Sequence, residues 1–317
     1  MTIHRVHPFT DETGQLLAAE AAKQTALLGA IAQTTPAASM ARDMADVSNI
    51  VKLGLGPAVF PVGTQLIIPW TDARTSVATV WDMVWDVVHH ADVTLRDGEV
   101  VPGMYIQSHY ALPFATPFDA AEPDNADSNV KTYGSNCWAT SNIRQFLNSA
   151  SAAAKFGWTA QTATDVLSSS YDSLAGFMSG FGADFLAVVG ETSQTTQRNN
   201  VDYSGSANDV LYDKFFLPSA SQHYFNTYLG QSSATIEGEY WQYWKRVAGS
   251  SSPLAGWQTY PRLITYAMEN HATACGVWLR SANRSYSYTA GFVYTDGTVN
   301  GTYAYHGLRC APACVIV

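Results

Sequence analysis

The sequence is short of charge. Lys, Arg, Asp and Glu together make up 14% of its 317 residues, against roughly 25% in an average soluble protein. Of these, 26 are acidic and 17 basic, a formal net charge of −9, and the longest basic run is the pair Lys245-Arg246. Nucleic acid and membrane insertion are therefore not expected, since nucleic acid and anionic lipid both require a basic footprint. No run of 18 apolar residues occurs, so no membrane-spanning helix is expected. The opening Met1-Thr-Ile-His-Arg lacks a charged region followed by an apolar one, and no general secretion signal is read there. Cysteine is scarce as well. Cys137, Cys275, Cys310 and Cys314 are too few for a disulfide framework. They read as free, buried thiols in a protein made in a reducing cytoplasm.

Catalytic signatures are also missing. There is no Gly-x-Ser-x-Gly elbow and no GxxxxGK[ST] phosphate loop. The Cys310-x-x-x-Cys314 spacing has no His-x₃₋₅-His pair to complete a zinc site. His89 and His90 are neighbours on a predicted strand, where adjacent side chains point to opposite faces and cannot readily share a metal. Glu191, Glu237 and Glu239 offer carboxylates of the kind glycoside hydrolysis needs, but their setting reads as that of solvated surface acids. No metal or cofactor is expected.

What is present is a globular composition: 47% apolar and 12% aromatic residues, the opposite of a disordered signature. Residues 13–33 are rich in helix formers, with Thr13 as a cap and Pro36 as a stop. Leu17, Ala21, Gln24, Leu28 and Ile31 follow a 4-3-4-3 spacing. That is a short coiled-coil seam for self-association, or a helix packed on its own domain. Residues 34–48 read as a linker. Residues 59–68 read as strand broken by turn residues. Residues 93–101 read as a hairpin around Asp97-Gly98, and residues 119–132 as a polar loop. Ser141 caps a short helix carrying Ile143, Phe146 and Leu147. Residues 276–280 form a strand, residues 292–300 a second hairpin around Asp296-Gly297, and residues 308–317 a last apolar strand. Helices followed by hairpins indicate an α+β fold.

Residues 281–306 hold Tyr286, Tyr288, Tyr294, Tyr303, Tyr305 and Phe292 among Ser, Thr, Asn and Gly, with Asp296 the only acid and Arg284 the only Lys or Arg. Tyr gives large contact area at low entropic cost, while Ser, Gly and Asn adapt their hydrogen bonds; this is a paratope-like mixture. The flanks, GVWLR and GLRCAPACVIV, are compact and apolar, as core strands should be. The alternative is a Tyr-rich hairpin packed on the core. A two-residue turn at Asp296-Gly297 would put Phe292, Tyr294 and Val299 on one face, and a one-residue slip would reverse the faces.

The segments YGSNCWATSNIRQFLNS and VWLRS…YTDGTV…GLRCAPA together resemble a domain family of gut bacteria and their phages, over most of residues 50–317. The resemblance implies a C-type-lectin-type fold with short helices and antiparallel hairpins, preceded by an N-terminal helix and a small β-rich region. It divides the chain into an assembly or attachment segment (1–49), a β-rich region (50–125) and a ligand-binding domain (126–317). The family includes the variable proteins of diversity-generating retroelements, in which a reverse transcriptase copies a template with errors at adenines and so diversifies chosen codons. On that resemblance Trp278, Leu279, Arg280, Gly307, Leu308 and Arg309 are frame, and Trp138, Ile143 and Phe146 are core. The diversified, ligand-binding positions map onto Ser285, Tyr286, Ser287, Tyr288, Phe292, Tyr294, Thr298, Asn300, Thr302, Tyr303, Tyr305 and His306, with Val293, Gly297 and Val299 fixed. The Glu-Pro-Asn or Gln-Pro-Asp triplet of calcium-dependent lectins is absent, Glu122-Pro123-Asp124 only approximating it, so no calcium-dependent sugar site is expected.

The resemblance thus implies a non-enzymatic, virion-displayed receptor-binding or adhesion protein, made in the bacterial host cytoplasm. Its partners would be a bacterial surface receptor, protein or glycan, and other virion proteins reached through the N-terminal segment. A homo-oligomer such as a trimer would add avidity. One alternative is a fixed structural or decoration protein of the particle with the same fold. A second is an oxidase of the formylglycine-generating type, with Cys310 and Cys314 imitating that family's copper-binding pair.

Overall fold

The last strand of the chain lies inside the main sheet rather than at its margin. The computed structural model describes residues 43–74, 78–203, 208–229 and 237–317. Strands β1 (Gln65–Asp72), β2 (Thr79–Thr94), β3 (Val100–Ser108), β4 (Thr192–Gln197), β5 (Asn208–Asp213), β6 (Phe215–Phe216), β7 (Val277–Ala282), β8 (Thr289–Val293), β9 (Val299–Tyr303) and β10 (Ala313–Ile316) are its main extended elements. The five-stranded sheet runs β1-β2-β3-β10-β6, with every neighbouring pair antiparallel. A second, three-stranded sheet runs β7-β8-β9, and β4 pairs with β5. The helices are short: α1 (Met44–Lys52), α2 (Gly56–Val59), α3 (Ser128–Tyr133), α4 (Asn142–Leu147), α5 (Ala183–Val188) and α6 (Gln242–Ala248). The architecture is α+β.

Two stretches read as irregular are helical. Residues 43–48, part of the expected linker, cap and begin α1, where the Asp43 carboxylate accepts the Asp46 N–H at 2.9 Å. Val47 and Val51, four apart, bury the inner face. Ser48 then donates to the main-chain oxygen of Val317 at 2.5 Å, fastening α1 to the far end of the chain. The expected loop 119–132 likewise contains most of α3, capped by Asp127. The α4 helix starts where Ser141 was expected to cap it, the Ser141 hydroxyl accepting from the Arg144 N–H. The 13–33 helix lies outside the described residues.

The expected division at 125/126 does not separate two cores. Strand β3 pairs with β10 from Gln107↔Ala313 to Met104↔Ile316, so residues on both sides build one sheet. One cluster of buried side chains runs from Val47 to Ile316, with Trp85, Trp138, Phe146, Phe215 and Trp278 fully or almost fully buried within it. The expected boundary at 49/50 falls inside α1.

Both Asp-Gly hairpins form, each with a three-residue loop instead of the two-residue turn considered from the sequence. Leu95 N–H donates to Glu99 O at 2.8 Å, and Tyr294 N–H to Thr298 O at 2.8 Å. In each loop the Asp carboxylate accepts from the N–H two residues on, at 3.0 Å for Asp97 and 2.9 Å for Asp296. Gly98 and Gly297 take φ of +90° and +83°, which glycine adopts without a Cβ penalty. This is the second commonest hairpin closure, a turn followed by a positive-φ residue.

Candidate functional site

Strand β8 is the middle of its sheet and buried at all five positions. The loop joining β7 to β8 carries Ser285, Tyr286, Ser287 and Tyr288, and it is held from beneath by a fully buried Asn136. The Asn136 amide nitrogen lies 3.1, 2.7 and 2.9 Å from the main-chain oxygens of Asn283, Tyr286 and Thr289. Its own N–H donates to Ser287 O at 2.9 Å, and its side-chain oxygen accepts from Asn199 at 2.9 Å. The Ser287 hydroxyl donates to Asp127 at 2.5 Å. Burial pushes the Asp127 carboxyl up, but bonds from Ser287 and from the Asn129 and Val130 N–H groups outweigh it and hold the acid below the usual carboxylate range.

On this frame the tyrosines gather. Tyr286 and Tyr288 are 5.6 Å apart between ring centroids, Tyr288 and Tyr303 5.7 Å, and Tyr303 and Tyr305 6.1 Å. Tyr286 is 49% exposed and Tyr305 42%, with Tyr303 also exposed and Tyr288 half-buried. Tyr133, the last residue of α3, stacks on Tyr303 at 4.1 Å with the planes 22° apart, and its main-chain oxygen accepts the Tyr305 N–H. His306 packs against Tyr305 at 4.7 Å and bonds the Thr302 hydroxyl at 2.7 Å. The result is a platform of rings in which Tyr303 lies 22° from the plane of Tyr133 and 15° from that of Tyr305.

The remaining positions divide. Tyr294 and Thr298 close the opposite end of the β8–β9 hairpin, five residues or about 17 Å along the strand from Thr289. There, segment 256–260 lies against the hairpin: Val299 N–H donates to Gly256 O, and Trp257 is 76% exposed. Asn300 is exposed between the two ends, and Ser285 is exposed on the β7–β8 loop. Ser287 and Phe292 are buried. Ser287 turns inward to Asp127, and Phe292 sits on the central strand, edge-on to Trp278 at 6.3 Å. The longer loop also moves Val299 opposite Val293, away from the Phe292 and Tyr294 face.

Sequence reasoning placed Tyr133 and Asn136 in a motif without assigning them to the surface or its support, and gave no role to Trp257. Their only signal was proximity in space to a segment more than 30 residues away for Trp257 and about 150 away for the other two.

Of the frame positions, Trp278, Leu279 and Arg280 are buried, Leu308 and Arg309 are half-buried and Gly307 is exposed. Trp278 donates from its indole to Thr116 O at 2.9 Å. Arg280 is fully buried, giving its terminal nitrogens to Leu217 O, Gln222, Thr195 O and Glu237 O. Gly297 could not be replaced freely, since a Cβ there would lie 1.9 Å from Tyr260 O. Glu237, expected to be solvated, is buried. Its carboxylate accepts from Gln197 N–H, the Tyr228 hydroxyl and Ser281. Cys310 and Cys314 are buried, with burial pushing the Cys310 thiol up to about 12 and the Cys314 thiol up as well. Among the described residues no group of three or more His, Cys, Asp or Glu side chains is placed to hold a metal.

The fold is an α+β domain with one core, and the aromatic platform lies on its surface. This chain belongs to the family described as a domain of unknown function, DUF6273, which matches residues 104–317. The matched span opens at Met104 and closes just beyond Ile316, two residues that face each other across β3 and β10. No curated protein and no solved structure matches the chain.

Proposed function

We propose that this is a non-enzymatic binding protein with a C-type-lectin-type fold, displayed on a phage particle, whose contact surface is built on residues 285–306. The observation that carries the reading is how the surface is held. Asn136 bonds the main-chain oxygens of Asn283, Tyr286 and Thr289, and its N–H bonds Ser287 O. Main-chain bonds do not depend on which side chains the loop bears. Tyr286, Tyr303 and Tyr305 can then change while the frame stays, as a diversified surface requires. Contact would be made by Tyr286, Tyr288, Tyr303, Tyr305, His306 and Thr302 as one patch, with Tyr133 as its fixed floor. Ser285, Asn300, Tyr294 and Thr298 extend it for a ligand wide enough to reach. The receptor would be a protein or glycan of a bacterial surface. Oligomeric display through the N-terminal segment would raise a modest single contact by avidity.

The reading is tested by the combined replacement Tyr286→Ala, Tyr303→Ala and Tyr305→Ala. The melting temperature should hold within a few degrees, while adsorption to bacterial cells falls by an order of magnitude or more; unfolding instead would show that the rings are core. The neighbouring DNA gives a second test. A near-copy of the codons for residues 280–309, differing at template adenines and beside a reverse transcriptase gene, is the expected finding. Its absence would favour a fixed structural protein of the particle, the reading with which buried Ser287 and Phe292 agree.

A further inference from the structure

Away from the tyrosine platform, a cavity of about 560 Å³ lies between the β2–β3 hairpin loop, α4 with the segment after it, and the end of β5. None of residues 285–306 lines it. Its volume is in the range of small-molecule sites. Arg96, Arg144 and Lys214 face it on one side of the charge balance, Glu191 and Asp213 on the other. Arg96 pairs with Glu191 at 2.6 Å at the exposed rim, and Arg144 with the buried Asp213 at 2.8 Å further in. The Lys214 ammonium has no carboxylate partner among the described residues; it gives one hydrogen bond, to Leu186 O at 3.0 Å. The cavity is left with one positive charge that nothing in its wall matches.

It also holds donors that are still open. Arg144 gives its Nε–H to Asp213 and an Nη1–H to Ala139 O, which leaves Nη2 without an acceptor among the described residues. The Arg144 side chain is 20% exposed, and Nη2 is not closed off from solvent. Lys214 is half-buried and has two N–H bonds uncommitted. An acceptor-rich anion is the partner for such a set. With a single charge in excess, a monoanion balances the cavity and a phosphate dianion overshoots.

The uncharged lining says what the anion carries. Tyr212 and Met178, both half-buried, form an apolar wall. The Gln145 amide beside them has bonds of only 3.5 Å to Thr140 O and 3.4 Å from the Thr159 N–H, at the outer limit of hydrogen bonding. A purely apolar tail would strand that amide, whereas a hydroxylated ring meets both the amide and the wall. Phe156 and Gly157 close one side. With Lys155 they make three successive residues of positive φ, +58°, +41° and +67°, two of them not glycine. Strained backbone of this kind clusters at ligand clamps.

We propose that this cavity binds a sugar acid, a hydroxylated ring bearing one carboxylate, with the carboxylate between Arg144 Nη2 and the Lys214 ammonium and the hydroxyls toward Gln145. The site does not rest on the proposed role of residues 285–306.

The full-length protein would be titrated calorimetrically with D-glucuronate and D-galacturonate at millimolar concentration. The comparison molecules are D-glucose, which lacks the carboxylate, propionate, which lacks the ring, and glucose 6-phosphate, which carries a second charge. At least one uronate should bind and raise the melting temperature, with each comparison molecule at least tenfold weaker. Lys214→Gln removes the unmatched charge and should weaken uronate binding by about tenfold, the loss typical of one charge-assisted hydrogen bond. Glu191→Gln acts the other way at the exposed rim: it leaves a second positive charge in excess, and should tighten uronate binding several-fold and bring glucose 6-phosphate up toward it. No heat and no melting shift with either uronate overturns the proposal. So does any comparison molecule binding the unaltered protein as tightly as the uronates, or Glu191→Gln leaving both anions unchanged. If Lys214→Gln fails to fold, the Glu191→Gln result decides alone.

Discussion

The side-chain amide of Asn136 lies 2.7 Å from the main-chain oxygen of Tyr286, although 150 residues separate them. Through that bond and its companions, one buried polar side chain fixes the loop from which two of the platform rings project. Asn136→Ala would remove a donor from the main-chain oxygens of Asn283, Tyr286 and Thr289, of which Thr289 O keeps the Asn283 N–H at 3.0 Å. Each oxygen so orphaned costs about 1–3 kcal/mol. We expect a loss of about 3 kcal/mol in denaturant unfolding and faster amide exchange across residues 283–289; unchanged exchange there would show that the loop holds itself.

The two Asp-Gly loops provide a matched comparison. Gly98 and Gly297 share the same backbone conformation, but a Cβ on Gly98 meets open space while one on Gly297 meets Tyr260 O at 1.9 Å. Gly98→Ala should cost only the left-handed backbone penalty of about 1–2 kcal/mol. Gly297→Ala should cost clearly more, because the Tyr260 backbone must also move. Equal melting temperatures for the two variants would contradict this.

Acid should destabilise the protein through its buried histidines. Burial, aided by the Arg280 charge, lowers His223 from 6.5 to about 3. The folded value lies below the unfolded one, so below pH 6.5 the unfolded chain takes up a proton that the folded chain refuses. Stability then falls as pH drops from 6.5 toward 3, by about 1.4 kcal/mol per pH unit for this group. His89 and His90, both lowered mainly by burial, act in the same direction. His109 opposes them: its hydrogen bond to Asp86 raises it, so it contributes stability below 6.5 that is lost as pH climbs through its raised value. Unfolding free energies measured from pH 7 to 4 should show a shallower decline in His223→Gln than in the unaltered protein.

Thiol labelling at neutral pH should spare Cys310 and Cys314 until the protein unfolds, because both are buried and burial disfavours their thiolates. Rapid modification of either in the native protein would favour the oxidase alternative.

Local chemistry was the legible part of the sequence. The hairpins announced themselves through Asp97-Gly98 and Asp296-Gly297, and α4 through Ser141, because those residues act within a few positions of themselves. The loop length was not legible: whether two or three residues close the turn decides which face Val299 takes, and Asp-Gly serves either geometry. The helix α1 was hidden because its cap Asp43 and the first of its buried valines, Val47, sit in an Ala-rich stretch resembling a linker. Glu237 was read as a surface acid because two of its three donors, Gln197 and Ser281, lie some 40 residues away, and the third, Tyr228, reaches it only once the chain has folded. Tyr133 escaped for the same reason. Its ring joins the platform only once α3 has docked beside the β8–β9 hairpin, a long-range event that leaves no periodicity.

The position of β10, between β3 and β6, carries a consequence for biosynthesis. A polypeptide released from the ribosome by a stop codon anywhere in 285–306 lacks the strand that joins the two halves of the main sheet. Such a truncated product has a gap through its middle and should be cleared by proteolysis. Only molecules translated past residue 306 gain the strand that completes the sheet, so the architecture itself screens out nonsense mutations upstream of it.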